Sequence, residues 1–570
     1  MWQITAVIEL SLVFLASGQH TTPIVNIQGL GSVQGSIGQT AWRNKIIYQF
    51  QAIPYVEPPT GNRRFQPPIK KIAWTGILDA SKPGIHCPQL TGNDNGNVDN
   101  EDCLTLSVYS ADLDAVRPVL VFIPGGWFHQ GGASHHTPKF LLEANIVLVV
   151  IQSRLGPLGF LSTLSEKIPG NVGILDAVAA LEWTQQYISH FGGDASKVTI
   201  YGQSAGAAAV SAMLHSPLVQ NRPTRLFRSA ILQSGSIFSP WALCETPVES
   251  ALDIASRLGC TNIGTMEDCL MRVPVRSLLT AFDAHRNETI IRRGYPYVGG
   301  TSVVVGGPSG LFPKHPRHYL WNASAAIALM GGTTSQDGLF LLNEICRLQP
   351  GLPESLNDSS SLLSFIRLLH EKFGQTKLDG VLEGNNILEH FSLAQIDQAR
   401  WNDLVLGFVD ICGNHGIKGP VLTDIHAFSE VNPANVYLYS FDYFKQGQKK
   451  SLSFLFPYEG AVDHSDDLRL IFPTEELNQE ETKLAKTIVR LWTSFVINGV
   501  PIAKDVSYWP PANRLYGPYL KIDKESKQNS YYLKEFSATS TRLGQSSSGC
   551  GRYTGSTILL LLILFVRAFV

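Results

Sequence analysis

Cysteine is scarce in this chain, with eight among 570 residues. That excludes a small disulfide-built scaffold but leaves enough sulfur for a few staples in an oxidising compartment. Charge is sparse too, at 16% of residues, and balanced: Lys+Arg 45 against Asp+Glu 47 gives a net −2. No basic block stands out, which argues against a nucleic-acid partner. No apolar run reaches the roughly 20 residues that a membrane-spanning helix needs, and no repeat or long low-complexity linker divides the interior. What the chain does have is 44% apolar residues, enough for a large core and too many for a disordered protein. Its length suits several average domains, or one α/β domain enlarged by insertions.

The two ends differ from the interior. Ile4 to Ala16 is an apolar stretch broken by Glu9 and followed by the small residues Ser17 and Gly18. This predicts a secretory signal over residues 1–18, with a buried helix of the mature fold as the alternative. At the far end, Ser546-Ser547-Ser548-Gly549 precedes a polar spacer, Cys550 to Thr557, and an apolar tail, Ile558 to Val566, with Arg567 after it. Small residues, spacer and short tail are the pattern of a GPI-attachment signal, expected here over 546–570. An unprocessed apolar terminus is the alternative. Sequons at Asn287, Asn322 and Asn357 are compatible with glycosylation in the secretory pathway.

Between the ends, short apolar and β-branched runs recur: Val119 to Ile123, Ile146 to Ile151, Val198 to Tyr201, Ala230 to Gln233, Ala325 to Met330 and Val436 to Phe441. Continuous runs of this length suit strands buried on both faces of a parallel sheet. Leu175 to His190 places Ala177, Ala180, Leu181, Thr184 and Ile188 at helical spacing. Alternating strands and helices predict an α/β sheet with helices on both faces, in one large domain over 19–545.

One of these strands runs into chemistry. Val198 to Tyr201 leads directly to Gly202-Gln203-Ser204-Ala205-Gly206 and then to an Ala-rich helical stretch. A G-x-S-x-G between a strand and a helix is a nucleophile elbow, with Ser204 exposed on a tight turn and the Ala205 amide facing a developing oxyanion. A serine nucleophile needs a base, and the base needs an acid to orient it. Asp337 follows the predicted strand Ala325 to Met330 and is the candidate acid. His464, within Gly460 to Leu468, is the candidate base among fifteen histidines. Acyl transfer by this trio requires no metal and no organic cofactor.

These residues resemble the type-B carboxylesterase/cholinesterase family. Phe191-Gly192-Gly193-Asp194 resembles its F-G-G-D-P lead-in, with Ala195 in place of proline. Further along the match, Pro59 to Phe65 resembles P-P-x-G-x-x-R-F, Glu101 to Leu104 resembles E-D-C-L, and Gly170 to Asp176 resembles G-N-x-G-L-x-D. The His464 segment resembles G-x-x-H-x-D-[DE]-L, and the acid, usually glutamate, falls at Asp337. The resemblance implies the α/β-hydrolase fold: a central, mostly parallel sheet with helices on both faces and large insertions. It also implies disulfides Cys87–Cys103 and Cys260–Cys269, and structural ion pairs Arg64–Glu101 and Arg154–Asp176. Cys244, Cys346, Cys412 and Cys550 receive no partner from it.

Three departures bear on function. The family's oxyanion segment, H/Y-G-G-G-F, here reads Pro124-Gly125-Gly126-Trp127-Phe128. Gly125, Gly126 and Ala205 remain as backbone donors, while Trp127 is either a pocket wall or an obstruction, and Phe128 accompanies it. Gln203 replaces the usual glutamate and removes a negative charge beside the serine. Between Cys87 and Cys103 there is no aromatic residue, so the cation–π site for a quaternary ammonium is missing. The family member implied is therefore not a cholinesterase. Gly-Gln-Ser-Ala-Gly also occurs in juvenile hormone esterases, but Ala177 departs from them.

The leading expectation is a secreted or surface-anchored serine carboxylesterase acting on small, uncharged, apolar esters. One alternative is a cell-surface adhesion or recognition protein with a protein partner and weak or no turnover. The other is a sequesterer that is acylated once and released slowly.

Overall fold

The computed structural model describes residues 23–90, 98–293, 301–322, 327–348, 409–410, 412–445, 461–512 and 517–529. The expected signal, the expected tail, Asn357 and Cys550 lie outside them.

Sixteen strands are described. β1 (Ile24–Ile27), β2 (Gly31–Gln34) and β5 (Ile77–Asp79) form a small N-terminal sheet, and β11 (Leu243–Cys244) pairs with β12 (Val303–Val304). The other eleven make the central sheet: β3 (Ser36–Gln39), β4 (Ile46–Pro54), β6 (Thr105–Ser110), β7 (Arg117–Ile123), β8 (Val147–Ile151), β9 (Gly193–Gln203), β10 (Ser229–Gln233), β13 (Ala328–Thr334), β14 (Val436–Phe441), β15 (Tyr519–Ile522) and β16 (Lys527–Asn529). Their spatial order is β16-β15-β14-β13-β10-β9-β7-β8-β6-β4-β3. Every pair from β15 to β8 is parallel, and antiparallel strands close both edges. The sheet is thus mixed, with a parallel centre, as the buried runs foretell.

The residue types explain the centre. All five residues of β8, Val-Leu-Val-Val-Ile, are fully buried, because helices cover both faces. α1 (Val172–Tyr187) and α2 (Ala205–His215) contribute to the core cluster on one face, together with Ile123, Val149 and Ile200. On the other face, Leu120, Leu148 and Tyr201 pack with Ile488, Leu491 and Trp492. Those last three belong to a helix, Gln479–Asn498, that opens with a reciprocal Asn478–Glu481 capping box and closes on left-handed Gly499.

Two elements differ from the sequence reading. α1 begins at Val172, three residues before the predicted start, and its final predicted residues form a 3-10 turn, Ile188–Phe191. β13 continues through Gly331 and Gly332 to Thr334 instead of stopping at Met330. The glycines are full members of the ladder, aligned with Leu232 and Gln233 on one side and Leu438 and Tyr439 on the other. At Gly332 the Tyr439 ring occupies the space a side chain would need, so an apolar count ends the strand too early.

The disulfides Cys87–Cys103 and Cys260–Cys269 are both formed. Arg64 grips Glu101 with two bonds of 2.6 and 2.9 Å. Arg154 grips Asp176 at 2.7 and 2.8 Å. Both pairs are buried and tie loops to α1 and the disulfide region. Cys244 and Cys412 are buried. No described helix is long and apolar enough to cross a membrane.

Candidate active site

Ser204 sits where β9 gives way to α2, with φ 56° and ψ −125°. A left-handed φ is strained for a residue with a Cβ, and the neighbouring glycines make it tolerable. A side chain at Gly202 would overlap the Gly206 carbonyl, and one at Gly206 would overlap that of Ile123. Larger residues would push the turn away from β7. The Ser204 amide donates to Gln233 O at 2.8 Å, which pins the elbow to β10.

The sheet brings the other two candidates to the same end. Asp337 follows β13 and is fully buried. Its Oδ1 accepts from His464 Nδ1 at 2.6 Å. Its Oδ2 accepts from Ser234 Oγ at 2.6 Å and from the Thr334 amide at 3.0 Å. A carboxylate with three donors is held in place. Burial disfavours the His464 imidazolium, but the charge and hydrogen bond of Asp337, with Asp463 and Asp467, outweigh it and raise the pKa above its ordinary value.

Gln203 reaches the other ring nitrogen. Its Nε2 lies 3.2 Å from His464 Nε2 and donates to Ser465 Oγ at 2.7 Å. The oxyanion segment packs against the elbow from above: a Cβ on Gly125 would stand 3.0 Å from Ser204 Cβ and 2.7 Å from Gln203 Oε1. Gly126 has φ 122°, and Trp127 and Phe128 follow with φ 56° and 61°. Trp127 therefore occupies a backbone conformation that suits the glycine it replaces. Its ring packs on Trp241 at 5.7 Å and on Phe340 at 5.3 Å. Phe128 is buried, its ring against Phe160 at 4.9 Å and Trp241 at 6.3 Å.

Four residues of this region were not singled out from the sequence. Ser234 repeats the elbow's geometry one strand over, with φ 56° after β10. The signal was present: Gln203-Ser204 and Gln233-Ser234 end neighbouring parallel strands in register. Phe340 stacks on the His464 ring, and nothing in the local sequence distinguishes it from a core residue. Asp467 is buried, accepts from the Tyr439 hydroxyl at 3.3 Å, and has its pKa pushed up by burial to about 7. Gln233 lies beside it, itself accepting from the Tyr201 hydroxyl.

Of the sequon residues, Asn287 lies in the helix Val275–Arg293, half-buried, with its amide bonded to Asp283 at 3.2 Å. Asn322 ends a 3-10 turn, Pro316–Asn322. Among the described residues no cluster of three or more His, Cys, Asp or Glu could hold a metal ion.

The comparisons with known proteins agree with this architecture. The model of the carboxylesterase family matches residues 21–539. Glutactin of Drosophila melanogaster is 30% identical over 532 residues, which is 88% of this chain and 50% of glutactin. Esterase FE4 of Myzus persicae is 29% identical over 542 residues, 92% of each chain. Cocaine esterase of Homo sapiens is 28% identical over 529 residues, 88% of each. This chain thus spans about half of glutactin but nearly all of the two esterases. With the elbow, the mixed sheet and a match over almost its whole length, the chain belongs to the carboxylesterase family.

Proposed function

We propose that the protein is a serine carboxylesterase in which Ser204, His464 and Asp337 act together. The observation that carries this reading is the 2.6 Å bond between Asp337 and His464 Nδ1 beside the elbow that presents Ser204. Asp337 keeps the proton on Nδ1, so Nε2 has a lone pair to offer. Ser204 Oγ attacks the ester carbonyl carbon and its proton passes to His464 Nε2. The amides of Gly125, Gly126 and Ala205 stabilise the charge that develops on the carbonyl oxygen. As the carbonyl re-forms, the C–O bond to the alcohol breaks and His464 returns the proton to the departing oxygen. Water then repeats the sequence on the acyl-serine and releases the acid.

The residues beside the elbow support a substrate class. Trp127 and Phe340 are aromatic and only partly buried, and Gln203 is neutral where the family usually has a glutamate. Such a site favours uncharged, apolar esters. Secretion, GPI anchoring and glycosylation at Asn287, Asn322 or Asn357 complete the proposal. Release from cells by a phosphatidylinositol-specific phospholipase checks the anchor, and unchanged retention would remove it.

A second reading is a recognition protein with little turnover. One observation favours it: Trp127 stands at φ 56° where the third oxyanion glycine belongs. The two readings part in a labelling experiment. A fluorophosphonate probe marks wild type and not Ser204→Ala if catalysis is right. Absence of labelling in the folded wild-type protein would leave recognition. A stoichiometric burst on p-nitrophenyl esters without further turnover would identify a sequesterer.

A further inference from the structure

The His464 ring has both nitrogens engaged, and neither by Ser204. Nδ1 donates to Asp337 Oδ1 at 2.6 Å. Nε2, left with its lone pair, faces the Gln203 side-chain nitrogen at 3.2 Å. The same amide has two further neighbours. Its nitrogen also donates to Ser465 Oγ at 2.7 Å, while its oxygen lies against Gly125. Ser204 Oγ, by contrast, makes no hydrogen bond among the described residues.

The geometry points to Gln203 as a latch on the catalytic base: its amide N–H occupies the lone pair of His464 Nε2 and must let go before Ser204 can transfer its proton there. This rests on the hydrolase reading above and adds a regulation to that site. Gln203 is a positioning residue; it acts through His464 and exchanges no proton itself.

The chemistry of the contact has two sides. An amide donor stabilises neutral imidazole, whose Nε2 accepts. Once Nε2 carries the serine proton, donor meets donor and the contact becomes repulsive. Turning the amide end for end would present its oxygen to Nε2–H, with the Ser465 hydroxyl then donating to that oxygen, so release of the lone pair takes a rotation of the Gln203 amide. The usual glutamate cannot form such a latch when ionised, because a carboxylate only accepts. The other groups that act on the ring oppose the latch: Asp337, Asp463 and Asp467 all favour the imidazolium, while Phe340 covers one ring face.

The test uses three full-length proteins: wild type, Gln203→Met and Gln203→Glu. Met removes the donor without adding charge and keeps the chain length. The imidazole nitrogens of His464 are followed by NMR as a function of pH, and the acid limb of kcat/KM for a p-nitrophenyl ester is measured beside it. His464 of Gln203→Met is expected to titrate about half a pH unit or more above wild type, a roughly threefold gain in proton affinity. Gln203→Glu should move further in the same direction, and the kinetic limb should follow. Coincident titration of wild type and Gln203→Met would overturn the latch, since a structural strut would leave the proton affinity alone. Separated titrations without fluorophosphonate labelling of any of the three proteins would overturn the hydrolase reading while supporting the contact with His464.

Discussion

Phe340 lies face to face with His464, their ring centroids 4.0 Å apart and their planes inclined by 19°. Trp127 packs on Phe340 in turn, and Trp241 on Trp127. An aromatic column therefore joins the oxyanion segment to the base. An imidazolium over an aromatic face gains a cation–π attraction of about 1–2 kcal/mol in a desolvated site. Phe340→Leu is expected to lower kcat/KM about tenfold, with a smaller change in KM than in kcat. Equal kinetics in wild type and variant would show the stacking to be packing alone.

Trp127→Gly separates obstruction from support. The substitution relieves the left-handed strain, worth about 1 kcal/mol, but removes a large ring from between Trp241 and Phe340, where truncations cost about 3–5 kcal/mol. The melting temperature should therefore fall. Turnover of esters with bulky acyl groups should rise about tenfold if the ring fills the acyl space. A fall in turnover for every acyl length would instead make Trp127 a support for the His464 column.

Ser234 supplies one of the three donors to Asp337. Ser234→Ala leaves that carboxylate with two, the Thr334 amide alone remaining on Oδ2. The expected loss is about 1–2 kcal/mol in transition-state stabilisation, or about tenfold in kcat, with the fold intact by circular dichroism. Asp337→Asn should be far more severe, about 10⁴-fold, because it reverses the tautomer on which His464 depends. A Ser234→Ala enzyme with wild-type kcat would exclude it from the acid's support.

Asp467 makes stability fall with rising pH. Its folded pKa, raised by burial to about 7, lies above the usual carboxyl value of about 4. The group is protonated in both states below about pH 4, so no penalty exists there. Between about 4 and 7 the unfolded chain releases its proton and the folded chain retains it, and stability declines. Asp467→Asn should flatten that decline, with a gain at pH 8 on the order of a few kcal/mol. Parallel stability–pH curves for the two proteins would place the carboxyl in contact with water.

Much of this was legible in the sequence because the signals were local. Buried strands declare themselves by unbroken apolar runs, and the elbow by glycines flanking a serine between strand and helix. Asp337 and His464 were found by their neighbours, and their 2.6 Å contact joins positions 127 residues apart.

Other features depend on what the sheet places side by side. The continuation of β13 through Gly331 and Gly332 is decided by its partner strands, since glycine carries no β preference of its own. Ser234 matters only because β10 lies beside β9 in register. Phe340 reads as a core residue until the fold stacks it onto His464. The sequence by itself determined the family, the strand centre and the three chemical groups, since each rests on residue types over a short span. The tertiary structure alone decided that the Gln203 amide, and not the Ser204 hydroxyl, meets His464 Nε2. That choice depends on side-chain directions set by the end of β9, the turn that carries His464 and the segment after β13, which no single span of sequence encodes.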